Sequence, residues 1–237
     1  MSDTRTDLRL HDLRPPSGDR AGAEAEREIL RHAIRFFGRR GYGGTSMRAI
    51  AGEAAVTAPL IGYHFGSKEG LFAACVEVVM TTTTEDLLVR GDDGRTVVDL
   101  VRDFATKHMD FARHYPEALR FILTVVYGPE DSQPRVDLVR YWSPVLLGLV
   151  RRFEQALSTG ELRPRIHATA PRLARHLLNV VHMEVMASYE KERFADADLS
   201  IVDLFDADED VRVEDLVAQF FRGAGELRVP LPGESES

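Results

Sequence analysis

A single cysteine in 237 residues, Cys75, excludes an internal disulfide and any cluster of thiolate ligands within one chain. It sits in an apolar stretch and suits a reducing compartment. Long hydrophobic runs are missing as well. No stretch approaches the ~20 apolar residues of a membrane-spanning helix, and the opening MSDTRTDLRLHDLRPPSGDR lacks the apolar core that a secretory signal needs. The expectation is a cytoplasmic chain without a membrane partner. Neither a period-2 strand pattern nor an internal repeat stands out, which leaves an all-α fold. Positive charge is in short supply, with 30 Lys and Arg against 38 Asp and Glu, a net charge of −8 and a pI near 5.5. Taken alone this argues against a polyanionic partner, because phosphate contacts need Lys and Arg.

What charge there is falls unevenly. Between Arg20 and Phe72, eight basic side chains (Arg20, Arg27, Arg31, Arg35, Arg39, Arg40, Arg48 and Lys68) meet five glutamates (24, 26, 28, 53 and 69), a local balance of +3. Residues 1–19 carry −1 and residues 73–237 carry −10. A basic segment therefore precedes a long acidic one, and where charge sits matters more than its total. With 44% hydrophobic residues the chain can bury a core in one or two domains.

Residues 1–20 combine mixed charge with Pro15, Pro16 and Gly18 and few large apolar groups, so they read as a flexible arm. From Glu24 the pattern turns helical, with Ile29, Leu30, Ala33, Ile34 and Phe37 at three- and four-residue spacing and arginines between them. Gly41 is a natural C-terminal stop. A second, short helix capped by Thr45 or Ser46 buries Met47, Ile50 and Ala51 and ends near Ala54. A third, of about two turns, is capped by Thr57 and carries Pro59 in its first turn, where an amide has no intrahelical partner anyway. Ser67 caps a long helix over 68–90, and further helical segments fall near 96–114, 117–127, 136–158, 169–190 and 213–224.

Two short helices joined by a tight turn, the second opening on small and hydroxyl residues, form the arrangement that lets one helix enter a DNA major groove. The run from Gly41 to Leu71, GYGGTSMRAIAGEAAVTAPLIGYHFGSKEGL, resembles the N-terminal domain of tetracycline-repressor-like (TetR) regulators nearly throughout, and the resemblance covers about Glu24 to Cys75. His32 and Ala55 stand where small Ala and Gly are usual, and Gly62 stands where an aromatic or polar residue is common. Ala55 bears on the turn, since only glycine adopts positive φ freely. Gly62 loosens its helix by roughly 1 kcal/mol relative to Ala and removes a possible contact.

The resemblance and the chemistry together assign DNA-facing roles. Thr45, read as an exposed hydroxyl at a helix N-terminus, is expected to hold a phosphate with help from Ser46. Arg48 points outward from the second helix. Thr57, Ala58, Pro59 and Leu60 open the recognition helix and approach base edges, with apolar contact to thymine methyls. Tyr63 and His64 lie a turn later, where this motif holds backbone phosphates, and Lys68 adds a point charge. Ile61 and Phe65 are expected in the core.

These readings divide the chain into an arm over 1–20, a helix-turn-helix DNA-binding domain over 21–67, and a larger helical effector-binding and dimerisation domain over 68–237. The acidic part resembles the family in architecture only and shows no cofactor signature. By that resemblance a homodimer forms through 169–190 and 213–224, supported by Leu173, Leu177, Val180, Val181 and Val185 on one helix and Leu216, Val217, Phe220 and Phe221 on the other. Candidate effector contacts for a small apolar or amphipathic molecule are Phe104, His108, Phe121, Val125, Tyr127, Trp142, Met183 and Met186. His108, His114, His176 and His182 do not show metal-site spacing. An all-α enzyme is the rival from another class, but no nucleophile lies beside a base and no carboxylate pair recurs at helical spacing. A helical interaction protein that has lost DNA binding is the other alternative; retention of Thr45, Tyr63, His64 and Lys68 argues against it.

Overall fold

The structure is a computed structural model and describes residues 20–88, 94–164, 168–194 and 209–227. The expected arm over 1–20 lies outside the described residues except for Arg20, which opens the first helix. Nine helices occur among the described residues: α1 (Arg20–Arg40), α2 (Met47–Glu53), α3 (Ala58–Phe65), α4 (Lys68–Leu87), α5 (Val97–His114), α6 (Pro116–Tyr127), α7 (Leu138–Ser158), α8 (Ala170–Phe194) and α9 (Glu209–Ala224). The all-α expectation holds with one addition. A two-stranded antiparallel ribbon joins β1 (Leu162–Pro164) to β2 (Gly225–Leu227), with Leu162 opposite Leu227. Strands of three residues are too short to show a period in sequence.

The chain forms two compact units. One comprises Met1–Asp86 and Arg113–Tyr141, the other Leu87–Ala112 and Trp142–Ser237. A division at 67/68 therefore falls inside the first unit, which also takes in most of α4 and all of α6.

The reason is a close helix crossing. Gly38 of α1 meets α6 so tightly that a Cβ there would stand 3.0 Å from the Phe121 amide nitrogen and 3.4 Å from the Glu117 carbonyl oxygen. The Thr124 hydroxyl of α6 donates to the Gly38 carbonyl at 3.2 Å, and Arg39 pairs with Glu117. Beneath this crossing the Phe72 ring lies edge-on to Phe37 at 5.1 Å and to Phe121 at 5.6 Å. Ile29, Leu30, Ala33, Ile34 and Phe37 are buried, as their spacing predicts. On α2, Ile50 and Ala51 are buried, whereas Met47 in its first turn is half-buried. Gly41, at φ +68°, ends α1 in the left-handed conformation that glycine adopts without penalty.

In the second unit α5, α7, α8 and α9 share a core of Leu100, Phe104, Leu149, Phe153, Leu177, Val181, Val217 and Phe220. Arg152, nearly buried on α7, pairs with Glu161 at 3.0 Å, and Glu161 also accepts the Val97 amide at the start of α5. The apolar stripes expected at a dimer interface need correction here. Leu173, Leu177, Val181 and Val185 of α8 and Leu216, Val217, Phe220 and Phe221 of α9 are buried within a single chain, and Val180 is half-buried. The two helices pack on one another, so their apolar content requires no second copy.

Because backbone rather than a flexible side-chain end limits the space at Gly38, Gly38→Val is expected to lower stability by about 1–3 kcal/mol through overpacking. Thermal unfolding checks this, and a melting temperature equal to that of the parent chain would show that α1 and α6 can separate freely.

Candidate nucleic-acid interface

Hydroxyl side chains open the three helices of the candidate site, each accepting a backbone amide that the helix itself leaves without a partner. Ser46 Oγ accepts from Ala49 N at 3.1 Å, Thr57 Oγ1 from Leu60 N at 3.4 Å, and Ser67 Oγ from Gly70 N at 3.1 Å. A hydroxyl that accepts in this way keeps its own proton to donate. All three residues are exposed, so that proton can reach an anionic oxygen. Neither α2 nor α3 has an acidic residue in its first turn, which leaves the positive end of each helix dipole unopposed.

Thr45 departs from expectation. It is buried, not exposed, and Ser46 alone caps α2. Its hydroxyl lies 2.8 Å from the Gly41 carbonyl oxygen and 3.1 Å from that of Phe36, at the end of α1. The hydroxyl thereby ties the residue before the Ser46 cap to the last turns of α1 and to the glycine that ends it.

The turn between α2 and α3 keeps a helix-ending form without glycine. Ala55 adopts φ +54°, and the Val56 amide reaches back to the Ala51 carbonyl at 3.0 Å, the six-residue bond of a Schellman motif. An alanine there carries strain that glycine avoids.

On α3 only Ile61 is buried; Phe65, expected in the core, is half-buried. Thr57 and Pro59 are exposed, Ala58, Leu60 and His64 are half-buried, and Tyr63 is 83% exposed. The Tyr63 ring stands edge-on to His64 at 5.4 Å. Arg48 is exposed on α2. The structure thus gathers Ser46, Arg48, Thr57, Pro59, Tyr63, His64 and Lys68 on three consecutive elements of one unit.

Tyr42 is absent from the candidates that the sequence supplies. Its ring stacks on Phe37 at 5.9 Å and meets Phe72 edge-on at 5.2 Å, while Lys68 Nζ sits over it at 4.2 Å from the centroid. Burial, with Glu69 nearby, raises its phenol above the usual tyrosine value. The available signal was an aromatic immediately after the stop glycine. Elsewhere in this unit, burial raises the Cys75 thiol, which makes it a packing group. Burial also lowers the His32 imidazole, with Arg31 adding to the effect.

The candidate effector residues do not all come together. Phe121 and Val125 are buried in the first unit, where Phe121 belongs to the aromatic core under α1, and Tyr127 of that unit is exposed. Phe104, His108, Trp142, Met183 and Met186 belong to the second. There the rings of Phe104 and His108 lie 4.3 Å apart, and His108 Nδ1 is 2.8 Å from the Phe104 carbonyl oxygen. Burial, opposed by that carbonyl and reinforced by His182, lowers the His108 imidazole to about 4, so it is neutral at neutral pH. Met183 is exposed.

Residues 29–75 match the family of bacterial regulatory proteins described as the tetR family. The HTH-type transcriptional regulatory protein RaaS of Mycobacterium tuberculosis is 49% identical over 59 residues, which are 25% of this chain and 27% of that protein. The chain thus matches about a quarter of that relative's length. Among solved structures, a TetR family transcription regulator from Marinobacter aquaeolei VT8 matches with a TM-score of 0.63 at 16% identity, over 86% of this chain and 96% of that one. AibR, solved in complex with isovaleryl coenzyme A and operator DNA, matches with a TM-score of 0.60 at 22% identity, over 82% and 97%. At such identities the structures show a shared fold. Sequence similarity to the tetR family of bacterial regulatory proteins is thus confined to the N-terminal segment.

Two stability outcomes follow from the turn and the buried hydroxyl. Ala55→Gly is expected to raise stability by roughly 0.5–1 kcal/mol, since the exposed methyl makes the strain without a compensating contact. Thr45→Val should cost about 1 kcal/mol by removing the buried hydrogen bonds that tie this residue to α1, and Thr45→Ser should recover most of it. Chemical denaturation of the three variants measures both; a Thr45→Val midpoint equal to that of wild type would show that the hydroxyl does not tie this residue to α1.

Proposed function

We propose that this chain is a sequence-specific DNA-binding transcription regulator that works as a homodimer on a near-palindromic operator. The observation that carries the reading is Tyr63, 83% exposed on a two-turn helix whose other side is buried through Ile61. An aromatic so placed does not serve the chain's own packing and is suited to a phosphate and sugar surface. Ser46, Arg48, Thr57, Ala58, Pro59, Leu60, Tyr63, His64 and Lys68 face the DNA in this reading. Thr45 is buried, its amide donating to the Tyr42 carbonyl at 3.3 Å and its hydroxyl to the end of α1, so in this reading it positions Ser46 rather than meeting DNA itself. The similarity to RaaS over this segment supports it, as does the fold shared with AibR, which was solved on operator DNA.

A dimer with two-fold symmetry sets two copies of α3 about 34–36 Å apart, one turn of duplex. The pairing is proposed through α8 and α9. Since their apolar stripes are buried, a partner would meet the outward residues of α8, among them Arg172, Arg175, Asn179, His182 and Met183, which are all exposed. Repression, with release by a small apolar or amphipathic molecule bound in the region 68–237, completes the proposal; AibR's complex with isovaleryl coenzyme A supports it. Such an effector must favour the DNA-incompetent state, and moving a population from 1:99 to 99:1 takes about 5.5 kcal/mol of preference.

Gel shifts with the duplex upstream of the protein's own reading frame test the interface. Tyr63→Ala and Lys68→Ala are expected to weaken binding while leaving the melting temperature in place. Lys68→Ala should also reduce the slope of log affinity against log salt by about 0.9 for each phosphate that it ceases to neutralise. Unchanged affinity in both variants would place the interface elsewhere.

A further inference from the structure

We infer that Tyr42 is a positioning residue for DNA binding, its ring holding the Lys68 ammonium at the mouth of the α3–α4 site so that it meets a phosphate already placed. The inference rests on the DNA-binding reading above and adds a residue outside the recognition helix to it. Lys68 Nζ lies 4.2 Å from the Tyr42 ring centroid, well inside the ~6 Å over which a cation is drawn to a π face. Among the described residues Lys68 has no carboxylate partner within 4.0 Å. This choice of partner matters. A carboxylate would neutralise the ammonium and occupy its donors, whereas a π face holds it in place with its charge and its N–H groups still available to an anion.

The platform is itself fixed. Tyr42 follows Gly41, whose left-handed φ turns the chain off α1, and the Tyr42 ring packs on Phe37 and Phe72, both fully buried. A lysine loses considerable rotamer freedom when it is immobilised. Holding it before DNA arrives removes part of that loss from the binding step, which is preorganisation in the ordinary sense. The ring's partners Phe37, Phe72 and Lys68 lie on α1 and α4 rather than on α3, so its effect on DNA binding should run through Lys68.

The test measures affinity for the upstream duplex as a function of salt for wild type, Tyr42→Leu, Tyr42→Phe, Lys68→Ala and the Tyr42→Leu/Lys68→Ala double variant. Tyr42→Leu should weaken binding about 2–5-fold per half-site, the range of an exposed cation–π contact. Tyr42→Phe, which keeps the π face, should rescue it. In the Lys68→Ala background Tyr42→Leu should do nothing further. An equal loss with and without Lys68 would overturn the inference, as would full affinity in Tyr42→Leu. If Tyr42→Leu does not fold, pentafluorophenylalanine at position 42 keeps the ring's shape while reversing its quadrupole, and the same pattern is expected. In unmodified protein the Lys68 side-chain methylene protons should show upfield ring-current shifts by NMR; unshifted resonances would overturn the inference. Failure of wild type to bind any duplex at low salt would instead sink the DNA-binding reading, so the two failures are distinguishable.

Discussion

An eight-residue helix does not hold its shape alone in water, where even good helix formers need roughly 12–15 residues. With one buried residue, Ile61, α3 contributes little to its own stability. Everything the site does therefore depends on the frame around it: the Thr57 cap at one end, the Gly66 stop at the other, and the aromatic cluster of Phe37, Tyr42, Phe72 and Phe121 that locks α1 and α4 beside it. The helix can leave Tyr63 exposed because its neighbours supply the burial. A longer, self-sufficient helix would have to cover that face.

The same cluster explains why α6 folds with the N-terminal helices. Phe121 enters the core beneath α1, and Gly38 allows the two backbones to approach closely enough for the Thr124 hydroxyl to reach a main-chain carbonyl. A shift of α6 is thus felt directly at α1, whose final turn is tied to Thr45 just before α2 begins. Within this unit the chain of contact from α6 to the caps of α2 and α3 is continuous and short. Glu77 of α4 is tied in as well, accepting the Tyr141 hydroxyl at 2.6 Å and pairing with Arg140 at the start of α7. That contact helps to push the Tyr141 phenol up to about 12, after burial as the larger cause.

Helix positions were largely legible in the sequence because stops and caps are local: Gly41, Ser46, Thr57, Gly66 and Ser67 act on the turns that contain them. Surface and core on α1 were legible for the same reason, since Ile29, Leu30, Ile34 and Phe37 follow one period. What escaped was non-local. Thr45 has the sequence context of a cap, and only the fold brings the Phe36 carbonyl to its hydroxyl. The stripes on α8 and α9 are equally apolar whether they meet each other or a second chain, so periodicity had no means of separating the two. Phe121 has the sequence character of a cavity wall because its partners, Phe37 and Phe72, are distant in the chain. An aromatic after the stop glycine marks Tyr42 locally, but nothing near it in the sequence names its partner, Lys68, 26 positions away.

A net charge of −8 is compatible with the proposed basic interface for a physical reason. At physiological ionic strength charges interact over a Debye length of about 8 Å, so a phosphate senses its immediate neighbours far more than the remote acidic residues. Even locally, the formal +3 misstates what is available. Arg27, Arg31 and Arg39 are engaged by Glu24, Glu28 and Glu117, whereas Arg40 and Lys68 lie over the rings of Phe36 and Tyr42. A carboxylate partner cancels the field that an arriving phosphate would meet, and a ring leaves it standing. The site's effective charge is therefore set less by how many cations the segment contains than by what each one rests on, and the aromatic partners are on α1 and in the loop that follows it.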